Sequence, residues 1–192
     1  MKNLAFILYR KLQLFKWFNK IWLRSIIAKW TVIAGKNFIE IWENSTIWRN
    51  SSIYVTWNHS GVKFSPLLRI WNNVCLWANT FIACIDEVVI DDNVLTSERI
   101  FISDHIHSYD NVNIPVAKQD LAKRWKVLIK SGAFLWINCV IMPWVTIWKN
   151  SVIWASAVVY KDVPDYSVAI WNPAKIIKKY NPLTKNWEKY VS

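Results

Sequence analysis

A chain of 192 residues, 54% of them apolar, can bury a single core and is too apolar for intrinsic disorder. Its net charge of +11 points to an anionic partner, without choosing among nucleic acid, a membrane surface and a phosphorylated cofactor. Three scattered cysteines (Cys75, Cys84, Cys139) and three histidines argue against both a disulfide framework and a zinc cluster, so no metal is expected and reduced thiols in a cytoplasmic protein are.

Residues 1–30 show no repeat. They read as a short N-terminal helical segment, basic and amphipathic through Tyr9, Leu12, Phe15 and Ile21, packed against the repeats that begin beyond residue 30. Weak membrane-surface contact is the second reading of this segment. The apolar run Leu4 to Tyr9 is cut off by Arg10 and Lys11, far short of the ~18 residues a span needs.

Beyond it, aliphatic residues recur every six positions: Ile41, Ile47, Ile53; then Ile70, Leu76, Ile82, Val88, Val94, Ile100; then Leu135, Ile141, Ile147, Ile153, Val159. Six fits neither a 3.6-residue helix nor simple strand alternation. It predicts a parallel β-solenoid in which each unit is a short strand plus a turn, with one aliphatic side chain inward and three units per coil. Polar turn residues such as Asn44-Ser45, Asn50-Ser51 and Asn150-Ser151 separate the strands. The phase slips at His59–Pro66, and again in a charged insertion near 107–126, where a loop projects from the scaffold. The predicted solenoid domain spans 31–181, and 182–192 is a tail.

From Leu135 the chain reads L-W-I-N-C-V-I-M-P-W-V-T-I-W-K-N-S-V-I-W-A-S-A-V-V-Y-K-D-V-P-D-Y-S-V-A-I-W-N-P-A-K. This resembles the last coils and tail of the hexapeptide-repeat acyltransferases, including those that acetylate surface polysaccharides, and the resemblance extends over about residues 30–181. It implies an all-β, left-handed parallel β-helix. The implied activity is transfer of an acetyl group from acetyl-CoA to a hydroxyl of a sugar or polysaccharide precursor. It also implies a homotrimer whose sites lie between subunits.

One departure is systematic. Where the family carries glycine after the inward aliphatic, this chain has Trp42, Trp48, Trp71, Trp77, Trp136, Trp148 and Trp154; Trp144 and Trp171 also fall on family glycines. Glycine suits turns with positive φ or close backbone approach, so tryptophan is expected to be strained there. The chain has 15 Trp and 3 Gly, whereas average glycine usage alone would supply about 13 residues. A gene that uses UGA for glycine, translated with UGA as tryptophan, yields this pattern. Outward indoles stacked in ladders are the alternative.

The segment Ser103-Asp104-His105-Ile106-His107-Ser108-Tyr109-Asp110 resembles the family's catalytic stretch. There a histidine, whose ordinary pKa of ~6.5 suits a base near neutrality, removes the acceptor hydroxyl's proton. The resemblance assigns this base to His105, with His107 as the alternate. Asp104 is read either as orienting an imidazole or as a turn residue, while Tyr109 and Asp110 shape the loop or acceptor site. For acetyl-CoA, Trp136 and Ile137 match the backbone-lined pantetheine groove and Ala155 and Ser156 its counterpart one coil later. Lys161 and Lys175 match the phosphate-binding cations, with Lys178 weaker.

Three rival readings stand beside this one. A carbonic anhydrase on the same scaffold needs three metal-binding histidines, and His59, His105 and His107 lack that family's spacing. An antibiotic O-acetyltransferase shares the catalytic stretch and differs in acceptor. A non-enzymatic solenoid leaves the Asp104–His107 segment and the Asn172–Lys175 tail unexplained. Nucleic acid is not expected, since no recognition motif accompanies the charge.

Overall fold

A computed structural model describes residues 18–22, 24–122 and 125–190. Its strands form three parallel sheets, the faces of a left-handed β-helix. The first face holds Lys20–Ile21, Ile39–Ile41, Leu67–Ile70, Glu87–Ile90, Val127–Ile129 and Thr146–Ile147. The second holds Ile26–Ile27, Thr46–Ile47, Cys75–Leu76, Leu95–Thr96, Phe134–Leu135, Val152–Ile153 and Ser167–Ile170. The third holds Val32–Ala34, Ser52–Val55, Phe81–Cys84, Phe101–Ser103, Val140–Ile141 and Val158–Val159. One strand from each face makes a coil, and six coils stack.

All fourteen repeat aliphatics are buried to 1% exposure or less. From coil two to coil six each unit in fact buries two side chains. In coil five these are Val127 and Ile129, Ala133 and Leu135, Cys139 and Ile141. The larger residue fills the axis, where each fully buried aliphatic contributes about 1.5–3 kcal/mol. The smaller one fits the corner where the chain turns.

This double burial corrects the register read from spacing. Ile41, Ile70, Ile90 and Ile129, with Ile147, stack on the first face, and Ile53, Ile82, Ile102 and Ile141 on the third. Val88, Val94 and Ile100 are therefore corner residues, and Ile90, Thr96 and Ile102 occupy the axial positions. The slip of two falls at the turn Ile85–Asp86. A sequence count cannot see it, because both positions of every unit in that coil are apolar or Thr.

Toward the N-terminus, residues 18–22 and 24–34 run as the first coil, with Ile21 in the strand Lys20–Ile21 rather than in a helix. The solenoid thus begins earlier than position 31. The helical reading of Tyr9, Leu12 and Phe15 lies outside the described residues. No helix among those described is long and apolar enough to cross a membrane. At the other end, part of the predicted tail, Asn186–Lys189, is a strand. Lys175–Asn181 pairs antiparallel with Ser167–Ile170, and Asn186–Lys189 adds antiparallel to it.

The left-handed turn positions are held mainly by asparagine, at Asn44, Asn73, Asn93 and Asn150 on one corner and Asn50, Asn79 and Asn138 on the next. Asparagine tolerates that conformation because its short polar side chain bonds locally. Trp42, Trp48, Trp71, Trp77, Trp136, Trp148 and Trp154 are not among the positive-φ residues, which corrects the expectation of backbone strain at those seven. Their indoles project outward instead, and several stack between coils: Trp22 on Trp42 at 5.7 Å, Trp42 on Trp71 at 4.7 Å, Trp48 on Trp77 at 5.2 Å. Strain does fall on Trp144 (φ 65°) and Trp171 (φ 81°), and also on Trp30 (φ 60°).

Candidate active site

The strand Phe101–Ser103 ends the third face of coil four, and Asp104 follows at the corner. Its carboxylate is fully buried. The Ile85 N–H donates to both its oxygens at 3.0 and 3.1 Å, and the Asp86 N–H donates at 2.8 Å. These donors belong to the two-residue slip one coil earlier. That turn presents two adjacent amides to the carboxylate, which offsets the cost of burying it. Cys84 lies alongside. Burial, and then the charge and hydrogen bonding of Asp104, push its thiol well above the usual range and keep it neutral.

His105 Nδ1 lies 2.7 Å from Asp104 Oδ1. A carboxylate that already accepts amide protons takes a proton donor on its remaining side, so Nδ1 carries the hydrogen and Nε2 holds the free lone pair. The His105 side chain keeps 13% exposure against 0% for its partner, leaving the imidazole as the group open to an acceptor. Ser103 Oγ donates to the His105 carbonyl at 2.7 Å and tightens the turn.

The insertion begins at this point. Ile106–His107 pairs antiparallel with Leu121–Ala122, and Ser108 N–H donates to Asp120 O at 2.8 Å. Gln119 braces the loop by donating to Asn111 O and Ile114 O at 2.9 and 2.7 Å. The returning chain is tied to the same corner: Trp125 N–H donates to Asp104 O at 3.2 Å, and Lys126 pairs with Glu87 at 2.5 Å. His107 and the loop residues Tyr109 and Asp110 are exposed. The His107 ring meets His59, 5.8 Å away and edge on.

The residues matched to CoA lie along the other edge of the third face. Trp136-Ile137 and Ala155-Ser156 turn the corner between the second and third faces on successive coils, and Ser156 N–H donates to Ile137 O at 2.9 Å. The next layer is Trp171–Ala174, where Ala174 N–H donates to Val158 O at 2.9 Å, and exposed Lys175 follows it. The Trp136 and Trp154 indoles meet edge to face at 4.4 Å over this corner and narrow it. Lys161 is exposed and follows the third face in coil six, on the His105 side. Lys178 lines a separate groove of about 480 Å³ outside the second face, with Trp154, Ile170 and Trp187. The structure therefore gathers Asp104, His105 and His107 at one corner and Trp136, Ile137, Ala155, Ser156 and Lys175 at another. The third face lies between them. Among the described residues, no group of three or more His, Cys, Asp or Glu could hold a metal ion.

Spacing alone misses the Ile85–Asp86 turn and the packing role of His59. At the first, only two residues, Ile85 and Asp86, separate strands that at most other turns of the coils are separated by four.

No family model matches the chain. It is 34% identical over 114 residues to the putative lipopolysaccharide biosynthesis O-acetyl transferase WbbJ of Escherichia coli K12, covering 56% of this chain and 58% of that protein. It is 30% identical over 133 residues to the galactoside O-acetyltransferase of the same organism, covering 68% and 64%. The chain thus spans less than two thirds of the length of these curated relatives. Among solved structures it is similar to AntD, an N-acyltransferase from Bacillus cereus in complex with dTDP and 3-hydroxybutyryl-CoA. There the TM-score is 0.74 at 16% identity, over 91% of this chain and 90% of that one. It is also similar to the hexapeptide-repeat acetyltransferase VCA0836 of Vibrio cholerae in complex with acetyl coenzyme A, with TM-score 0.60 at 20% identity over 90% of this chain and 77% of that one.

Proposed function

Since the chain belongs to the hexapeptide-repeat, left-handed β-helix acyltransferase family, we propose that it transfers an acetyl group from acetyl-CoA to a hydroxyl of a sugar or polysaccharide precursor. The observation that carries the reading is the buried Asp104 carboxylate held by two amides and aligned on His105 Nδ1 at 2.7 Å. It is supported by relatives named as O-acetyltransferases and by similar structures that contain an acyl-CoA.

In this mechanism His105 Nε2 takes the proton of the acceptor hydroxyl as its oxygen bonds to the thioester carbonyl carbon. The tetrahedral oxyanion then collapses and the carbon–sulfur bond breaks. The CoA sulfur leaves with the proton held by the imidazolium, so His105 returns neutral. Asp104 keeps the imidazole in the right tautomer and stabilises its transient charge. The pantetheine arm lies along Trp136-Ile137 and Ala155-Ser156, with Lys161 and Lys175 on the phosphates. Because Trp136, Ile137, Ala155, Ser156 and Lys175 lie on a different corner from His105 and Lys161, a second copy of the chain closes the site in this reading, in keeping with a homotrimer.

A screen of acetyl-CoA turnover against nucleotide sugars, glycans, amino sugars and hydroxylated antibiotics tests this reading. O-acetylation of a sugar is the expected result. Preferential acylation of an amine, or of the antibiotics, would overturn the acceptor assignment.

A further inference from the structure

Two segments leave the solenoid from the same corner, where the third face gives way to the first. One is the hairpin Asn58–His59/Val62–Lys63, which follows Ser52–Val55 in coil two. It reverses through Ser60 (φ 50°) and Gly61 (φ 87°), and the Asn58 side chain accepts the Gly61 N–H. The other is the insertion that starts at Ile106 in coil four. Only the Ile85–Asp86 turn of coil three lies between them, and that turn supplies the amides that hold Asp104. The two segments meet through the rings of His59 and His107, 5.8 Å apart at 77°. His107 is exposed and His59 half-buried, and His107 stands two residues beyond the imidazole of the Asp104–His105 pair.

We infer that His59 and His107 form an acceptor-positioning clamp, in which two imidazole edges hydrogen-bond neighbouring hydroxyls of a polyhydroxylated acceptor and hold one hydroxyl at His105. The inference rests on the function proposed above. An imidazole offers one donor and one acceptor nitrogen in the plane of a rigid ring, which suits vicinal hydroxyl groups. The edge-on packing fixes each ring by the other, so little rotamer freedom is lost when an acceptor binds. His59 is brought to the site from a hairpin about two coils away, so its part in acceptor selection is invisible to the Asp104–His107 segment itself.

The test compares His59→Phe, which keeps a ring against His107, with His59→Ala. KM for the sugar acceptor and for acetyl-CoA is measured in each, with thermal midpoints as a check on folding. The expected result is a rise in acceptor KM on the order of tenfold in both variants, with acetyl-CoA KM unchanged. An unchanged acceptor KM in both overturns the clamp while leaving the transferase reading intact. Restoration by Phe alone overturns the hydrogen-bonding role and leaves only packing. If the wild-type protein acetylates no hydroxyl acceptor, the transferase reading fails, and the clamp fails with it.

Discussion

The carboxylate of Asp104 and the imidazole of His105, neighbours in sequence, are locked at 2.7 Å because the Ile85 and Asp86 amides approach the carboxylate from the coil beneath. Asp104→Asn puts an amide NH₂ where a proton acceptor is needed and favours the tautomer that blocks Nε2. A fall in kcat of about 10²–10⁴-fold is expected, with acetyl-CoA KM little changed. Steady-state kinetics at saturating acetyl-CoA check this. A variant within threefold of wild type would show that the carboxylate is only a turn residue.

Lys161 and Lys175 are both exposed, and each follows a different corner of the third face. Replacing either by Ala is expected to raise acetyl-CoA KM by about tenfold while leaving acceptor KM alone. Repeating the measurement at high salt should shrink the difference, since exposed charges are screened. Equal effects on both substrates would point to a folding defect.

Much of this architecture is legible in the chain itself. The hexads identify the solenoid because an axial aliphatic every six residues has no other regular home, and all fourteen are buried. The slip at Ile85–Asp86 escapes detection, because the corner residues Val88, Val94 and Ile100 are as apolar as axial ones. His59 escapes because its contact with His107 spans two coils and depends on where two loops leave a common corner. The outward path of Trp42, Trp71 and their fellows escapes for a different reason. Their positions follow the inward residue, and asparagine, not tryptophan, takes most of the left-handed turns.

Trp30 and Trp171 hold positive φ with their indoles largely exposed, a conformation that costs an L-residue about 1–2 kcal/mol. Trp30→Gly and Trp171→Gly are expected to stabilise the fold by about 1 kcal/mol each, after the entropy glycine adds to the unfolded chain. Trp144→Gly should gain less, because it forfeits the indole N–H donated to Tyr160 O at 3.0 Å. Denaturant midpoints check all three. The reading that the gene specifies glycine at such codons makes a separate prediction: protein from its native host has a lower intact mass than 15 tryptophans require. A mass that matches them refutes it.

Burial raises the Cys139 thiol from 9.0 to about 12, with the Ala157 and Trp136 backbone lowering it in part. The Cys84 thiol is raised as well. A raised folded-state value means the native protein holds protons that the unfolded chain releases at high pH. These thiols therefore contribute stability in full below about pH 9 and lose it progressively as pH rises toward 12. The expected outcome is a denaturation midpoint that falls over this window, less steeply in Cys139→Ala. A slope unchanged by the substitution would contradict the assignment.

The most direct measurement is single-turnover acetyl transfer by His105→Ala, with acetyl-CoA binding followed separately in the same protein. Unchanged acetyl-CoA affinity and a transfer rate lowered by about 10²–10⁴-fold are expected if His105 is the base. Transfer at the wild-type rate, with His107 intact or replaced, would contradict it.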